Sequence, residues 1–169
     1  MNEKEFWRRV MMANEAGVKL EIVGGVPLWE FFPAKRHQMT IDRIRDSLKR
    51  KPPKRNGKAK CGCIHLSDVY IKFPDGSIKR PDISIFCREP DEEDEAITLV
   101  PEAVIEIVSP GYEAKDLEFA PHFYLSQGVK DVVIFDPETL LVLHVRKQGA
   151  QRRTSPLKLE LECGCQVVI

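Results

Sequence analysis

The sequence predicts an α/β fold built on a mixed β-sheet. Three observations carry this. Residues 64–73 set Asp68, Tyr70 and Lys72 between Val69, Ile71 and Phe73, the period of a half-buried strand. Residues 103–108 (AVIEIV) are apolar except for Glu106, as in a strand covered on both faces. Met39, Ile41, Ile44 and Leu48 recur at roughly helical spacing.

In chain order, residues 3–16 predict a short helix that Gly17 stops. Segments 19–23 and 26–32 flank Gly24-Gly25, a pair suited to the positive φ of a hairpin turn, and Pro33 ends that unit. Residues 34–49 form the second helix, after which Pro52-Pro53 and Asn56-Gly57 break the chain into a basic loop. Strands 64–73 and 78–86 are joined by the turn Pro74-Asp75-Gly76-Ser77. An acidic loop leads to strand 103–108, which Ser109-Pro110-Gly111 ends. Residues 113–127 predict a helix closed by Gly128, with Pro121 either kinking it or marking a later start. Strands 132–135 and 140–145 surround Asp136-Pro137-Glu138, and 157–161 is the last strand.

With 169 residues, 43% hydrophobic and 31% charged, the chain fits a single domain, 1–169, and is too apolar for global disorder. Residues 1–33 read as a helix and hairpin extension and 34–169 as the core. The longest apolar runs, 132–135 and 140–143, fall far short of the roughly 20 residues of a membrane helix. The charged N-terminus is unlike a signal peptide. We therefore expect a cytoplasmic protein with no membrane contact. The 26 basic and 26 acidic residues cancel, which excludes attraction of nucleic acid by net charge and requires a local patch. Between Arg43 and Lys60 nine bases face Asp46 alone. Lys49, Arg50, Lys51, Lys54 and Arg55 are the candidate phosphate contacts, with a merely solvated loop as the alternative.

Two carboxylates carry the chemistry. Glu106 interrupts an apolar strand, where an unpaired charge costs on the order of several kcal/mol, so it needs a cation nearby. Asp82, in Pro81-Asp82-Ile83-Ser84, stands in a comparable place on the preceding strand. If the strands pair, the two converge on one ion, and a few hard oxygen ligands describe magnesium. An ordinary ion pair of Glu106 with Lys115 or Arg80 is the alternative.

Pro81-Asp82 followed by Val104-Ile105-Glu106-Ile107-Val108-Ser109-Pro110 resembles the Uma-type restriction endonuclease family of the PD-(D/E)XK nuclease superfamily. Leu20-Glu21-Ile22-Val23-Gly24-Gly25 is similar to that family's hairpin. His37, Ile41 and Leu48 are similar to its helix start, with a spacing longer by one residue. Lys115-Asp116-Leu117 through Tyr124, Gly128-Val129 and Val133-Ile134-Phe135-Asp136-Pro137 match its later elements in order. The resemblance implies a restriction-endonuclease-like mixed β-sheet flanked by helices, with an N-terminal hairpin extension. It also implies an endonuclease that uses Mg2+ or Mn2+, held by Asp82 and Glu106, to hydrolyse the phosphodiester bonds of DNA. Glu21, His37 and Asp116 fall on supporting positions.

The superfamily lysine is missing from both of its expected places, which hold Val108 and Ala120. Lys115 is the nearest substitute, although five steps of a regular helix turn it away from position 120. The departure raises the alternative of a catalytically inactive, nuclease-derived nucleic-acid-binding or regulatory module. DNA is the implied partner, and the assembly stays open between monomer and homodimer.

Cys-Gly-Cys occurs twice, at Cys61/Cys63 and at Cys163/Cys165, and the family pattern asks for neither. Residues i and i+2 of a strand share a face, so two such segments that meet can offer four thiolates to a structural Zn2+. A cytoplasmic setting argues against stable disulfides. Small apolar side chains on two strands are the plainer alternative.

Overall fold

The apolar segment around Glu106 becomes a central strand because both of its faces are covered. The computed structural model describes residues 2–51, 61–93 and 95–169. Its helices are α1 (Glu3–Glu15), α2 (Lys35–Ser47) and α3 (Ala120–Ser126). Its strands are β1 (Val18–Val23), β2 (Val26–Phe31), β3 (Lys49–Arg50), β4 (Ile64–Ser67), β5 (Ile71–Lys72), β6 (Ile78–Lys79), β7 (Ile83–Phe86), β8 (Ala103–Ile107), β9 (Asp131–Phe135), β10 (Leu141–Arg146), β11 (Gly149–Thr154), β12 (Lys158–Glu160) and β13 (Cys165–Val168).

Among the described residues the strands form three sheets, ordered β11-β10-β9-β8-β7-β4, β2-β1-β6-β5 and β12-β13-β3. In the six-stranded sheet β8 and β9 run parallel and every other neighbouring pair is antiparallel, so the sheet is mixed. β8 and β9 are buried at every position. Ile105, Ile107, Val133 and Phe135 pack with Ile41 and Ile44 of α2 and with Leu159 and Val167 of the small sheet. Val104, Val132 and Ile134 point the other way, onto Ala120 and Tyr124 of α3. In α1, Phe6, Val10 and Ala13 follow the i, i+4, i+7 stripe and pack onto Leu20 and Ile78 of the four-stranded sheet. No helix among the described residues is long and apolar enough to cross a membrane.

The two long strands expected at 64–73 and 78–86 are each divided. β5 and β6 extend the sheet of the N-terminal hairpin, whereas β4 and β7 belong to the central sheet. Asp68 adopts a left-handed φ of 58° at one break, and Pro81 lies at the other. Arg80 joins the breaks, donating from Nη2 to Asp68 Oδ2 at 2.6 Å and from Nε to the Asp68 carbonyl at 3.1 Å. Alternation of side chains persists through such a bend, so periodicity alone does not reveal it.

The helix expected over 113–127 passes after residues 113 and 114 into a π-helical turn, Lys115–Phe119, and continues as α3 from Ala120. Pro121 thus stands in the first turn of α3, where its missing N–H is harmless. β11 and β13 were not expected. All six residues of β11 are exposed, so it has no apolar period to read. The last expected strand, 157–161, is β12.

Candidate active site

The register of β7 against β8 pairs Ile83 with Ile105, and one step further sets Asp82 against Glu106. Both side chains are buried, and both lie at the same end of the paired strands. The Asp82 amide donates to Glu106 Oε2 at 3.2 Å, and the Ile107 amide donates to Asp82 Oδ2 at 2.7 Å. The Tyr124 hydroxyl of α3 donates to Glu106 Oε1 at 2.5 Å. His37, in the first turn of α2, places Nε2 at 3.0 Å from Asp82 Oδ1 and Nδ1 at 3.2 Å from Ser109 Oγ. An ionised carboxylate only accepts, so Nε2 carries the proton of this bond.

Neither ion pair offered as the alternative for Glu106 forms, since Arg80 pairs with Asp68 and Lys115 with Glu30, each at 2.6 Å. The lysine charges that act on the carboxylates come instead from the hairpin sheet. Lys19 of β1 lies 3.5 Å from Glu21 and 3.7 Å from Glu30. Lys79 of β6 donates to Glu21 Oε2 at 3.0 Å and sits 5.3 Å from the centre of the Tyr124 ring. Glu21 also accepts from the Arg80 amide at 2.7 Å.

The charges act on one another. Burial and the Asp82 charge push Glu106 above the ordinary carboxylate range. Burial works the same way on Asp82, but the hydrogen bond from His37 and the Lys19 charge outweigh it and hold Asp82 low. Burial disfavours the Lys19 ammonium, yet Glu21, Asp82, Glu106 and Glu30 together raise its pKa well above that of a free lysine. Asp116, turned inward by the π-helical turn, is raised to about 8 by burial and by Glu106.

Of the supporting residues, His37 contacts Asp82 directly, while Glu21 and Asp116 act on the pair through charge. The objection to Lys115 rested on a regular helix. In the π-turn the Ala120 amide reaches the Lys115 carbonyl, so the two positions stack one turn apart. The Lys115 ammonium, however, is engaged by Glu30 at 2.6 Å and lies 3.7 Å from Asp116, at the edge of the acidic group. The sequence reading missed Lys19, Lys79, Glu30 and Tyr124. The signal for two of them was present: a hairpin turning at Gly24-Gly25 sets Lys19 opposite Glu30.

A cleft of about 280 Å³ opens beside the pair, lined among others by Phe31, Arg36, His37, Ile107, Ser109 and Tyr112. Lys49, Arg50 and Lys51, the described candidates of the basic segment, do not border it. His37 and Ser47 are separated by roughly 15 Å of helix axis, and Lys49 and Arg50 form β3 beyond the far end of α2. There Arg50 donates to the Gly62 carbonyl and Lys51 pairs with Glu160. Lys54 and Arg55 lie outside the described residues.

The cysteines form two disulfides, against the expectation that stable ones are absent. Cys61 is disulfide-bonded to Cys87 and Cys63 to Cys165, while Cys163 is a free thiol. The expected quartet of Cys61, Cys63, Cys163 and Cys165 left out Cys87. The pairing of Ile64 with Phe86 brings the end of β7 beside the first Cys-Gly-Cys, where the Gly62 amide meets the Cys87 carbonyl at 2.6 Å.

The fold and the paired carboxylates describe the class of restriction-endonuclease-like proteins. The profile of the family described as "Uma2: Putative restriction endonuclease" matches residues 5–162, and the chain belongs to that family. A crystal structure described as a putative nuclease belonging to DUF820, from Anabaena variabilis, superposes with a TM-score of 0.58 and 21% identity. The match covers 82% of this chain and 78% of that one and establishes the shared fold. No curated protein matches the chain.

Proposed function

We propose that the protein is a metal-dependent endonuclease that hydrolyses phosphodiester bonds of DNA at Asp82 and Glu106. The observation that carries the reading is an imbalance of buried charge. Five carboxyl groups (Glu21, Glu30, Asp82, Glu106 and Asp116) interact with three lysines (Lys19, Lys79 and Lys115) and with His37, so the acidic groups outnumber the basic ones. The pKa of about 8 at Asp116 comes from burial first and from the Glu106 charge second, and a cation would offset the second.

The donor set fits a hard divalent ion. Each carboxylate oxygen of the pair has one protein hydrogen bond and keeps a lone pair free. Two carboxylates, with water and phosphate completing the shell, would match magnesium or manganese coordination. Such an ion supplies a bound water of lowered pKa and positive charge for the phosphoryl oxygens.

The chain's own groups then have distinct tasks. His37, fixed by Ser109, orients the Asp82 carboxylate, and Tyr124 orients Glu106. Lys19 provides the positive charge that positions 108 and 120 lack, stabilising negative charge that develops on phosphate. Arg36, at the cleft, and Lys49, Arg50 and Lys51, beyond the far end of α2, hold phosphates several nucleotides apart on the same backbone.

The second reading, a nuclease-derived binding module, rests on the buried Val108 and Ala120. End-labelled duplex DNA, single-stranded DNA and RNA incubated with Mg2+ or Mn2+ separate the two. Metal-dependent shortening of DNA supports the endonuclease. Retained, salt-sensitive binding without shortening of any substrate supports the module.

A further inference from the structure

Away from the carboxylates, five cysteines from three segments converge at one edge of the core. They are Cys61 and Cys63 before β4, Cys87 after β7, and Cys163 and Cys165 at the start of β13. The sulfurs of Cys61, Cys63 and Cys165 lie within 4.8 Å of one another, and so do those of Cys61, Cys87 and Cys163. Cys61 belongs to both groups. Counted along β7, about 17 Å of strand separate Asp82 from Cys87, so the two sites are independent.

The backbone around the sulfurs is shaped for close approach. A Cβ on Gly62 would come within 2.7 Å of the Cys87 carbonyl oxygen, so only glycine fits there. Cys63 and Gly164 take left-handed φ values of 49° and 93°, turning the chain back at each Cys-Gly-Cys. As a result the Cys63 amide donates to Cys61 Sγ at 3.5 Å. An amide directed at sulfur stabilises a thiolate far more than a disulfide, because the acceptor is then charged.

We propose that, in its reduced form, the protein binds one zinc ion through Cys61, Cys63, Cys87 and Cys165. Tetrahedral sites with zinc–sulfur bonds of about 2.3 Å place sulfurs about 3.8 Å apart. Cys61 and Cys165 already stand 3.7 Å apart, and each has one of the other two as its disulfide partner. Cys163 lies within 4.8 Å of Cys61 and Cys87 but belongs to neither disulfide, and it stands outside the proposed ligand set. Reduction of the two disulfides by a dithiol takes four electrons and four protons and gives four thiols, while two molecules of dithiol become cyclic disulfides. Zinc binding then releases those four protons. The ion ties β4, β7 and β13 together and, because Cys165 pairs with Arg50, anchors the root of the basic segment.

The test is metal analysis of protein reduced with dithiothreitol and purified without chelator, beside a Co2+ titration of the same protein. The expected result is about one zinc per chain and, with cobalt, the thiolate charge-transfer and strong visible bands of a tetrahedral sulfur site. Cys87→Ser should lower zinc to near zero, and Cys163→Ser should retain it. Reduced wild type that takes up no zinc and shows no cobalt–thiolate band overturns the proposal, a readout that needs no variant to fold. Loss of zinc from Cys163→Ser with retention in Cys87→Ser overturns the ligand assignment.

Discussion

Tyr124 donates its hydroxyl proton to Glu106 Oε1 at 2.5 Å, across the interface between α3 and the central sheet. The bond holds a buried carboxylate that burial and Asp82 both push toward protonation. Tyr124→Phe removes it without changing the ring that packs beside Phe73 and Phe123. We expect a loss of about 1–3 kcal/mol in urea unfolding. Magnesium affinity should fall by about tenfold or more by calorimetry, as for other groups that orient a metal ligand. Unchanged affinity would show that Tyr124 serves packing alone.

The His37–Asp82 pair makes stability depend on pH in two directions. The folded pKa of His37 is raised, because the Asp82 hydrogen bond and charge outweigh burial. Its contribution is complete below the unfolded value, about 6.5, and is lost as pH rises through the folded value. Asp82 is held low, so its contribution is complete above about 4 and is lost as pH falls through its folded pKa. Between these limits the contribution of the pair is constant, so the difference in chemical unfolding between wild type and His37→Ala should be about 1.5–3 kcal/mol there and should shrink as pH rises through the folded value of His37.

Asp116 gives the opposite sign. Its unfolded carboxyl titrates near 4, approximately the free value, whereas the folded group titrates at about 8. The folded protein therefore binds more protons between these values, and metal-free stability falls as pH rises through that window. Asp116→Asn, which cannot ionise, should be more stable than wild type at pH 8 and close to it at pH 4 in chemical unfolding. Equal differences at both pH values would mean that Asp116 is ionised throughout.

The sequence made the core legible where one physical rule dominated. Residues 103–108 lost their polar alternation because both faces are covered, and Glu106 stood out for that reason. The hairpin at Gly24-Gly25 and the helix of Ile41 and Ile44 followed from turn chemistry and spacing. The division of 64–73 and 78–86 between two sheets was not legible, since the bend at Asp68 leaves the side-chain period intact. The π-turn at Lys115–Phe119 was equally hidden, and with it the inward turn of Asp116. Lys19 and Lys79 are charged residues on strands that look solvated until the hairpin sheet is folded against the carboxylates. Only the three-dimensional arrangement makes them buried counter-charges.

In the proposed function Lys19 answers the missing lysine. Removing one member of a buried ionic group leaves the others uncompensated, so Lys19→Met should cost about 3–5 kcal/mol in metal-free protein. Saturating magnesium should restore part of that loss by binding the folded state. A variant as stable as wild type, with no larger magnesium-dependent rise in melting temperature, would remove Lys19 from the charge balance.

The central claim is that Asp82 and Glu106 hold the metal at which DNA is cut, and nicking of supercoiled plasmid tests it most directly. Wild type, Asp82→Ala and Glu106→Ala are compared with Mg2+ or Mn2+ and with excess chelator, after circular dichroism has shown each to be folded. The account predicts nicking by wild type that needs the metal and slows by about a hundredfold or more in either variant. Nicking that persists at the wild-type rate in both variants, or its absence from wild type with either metal, would contradict it.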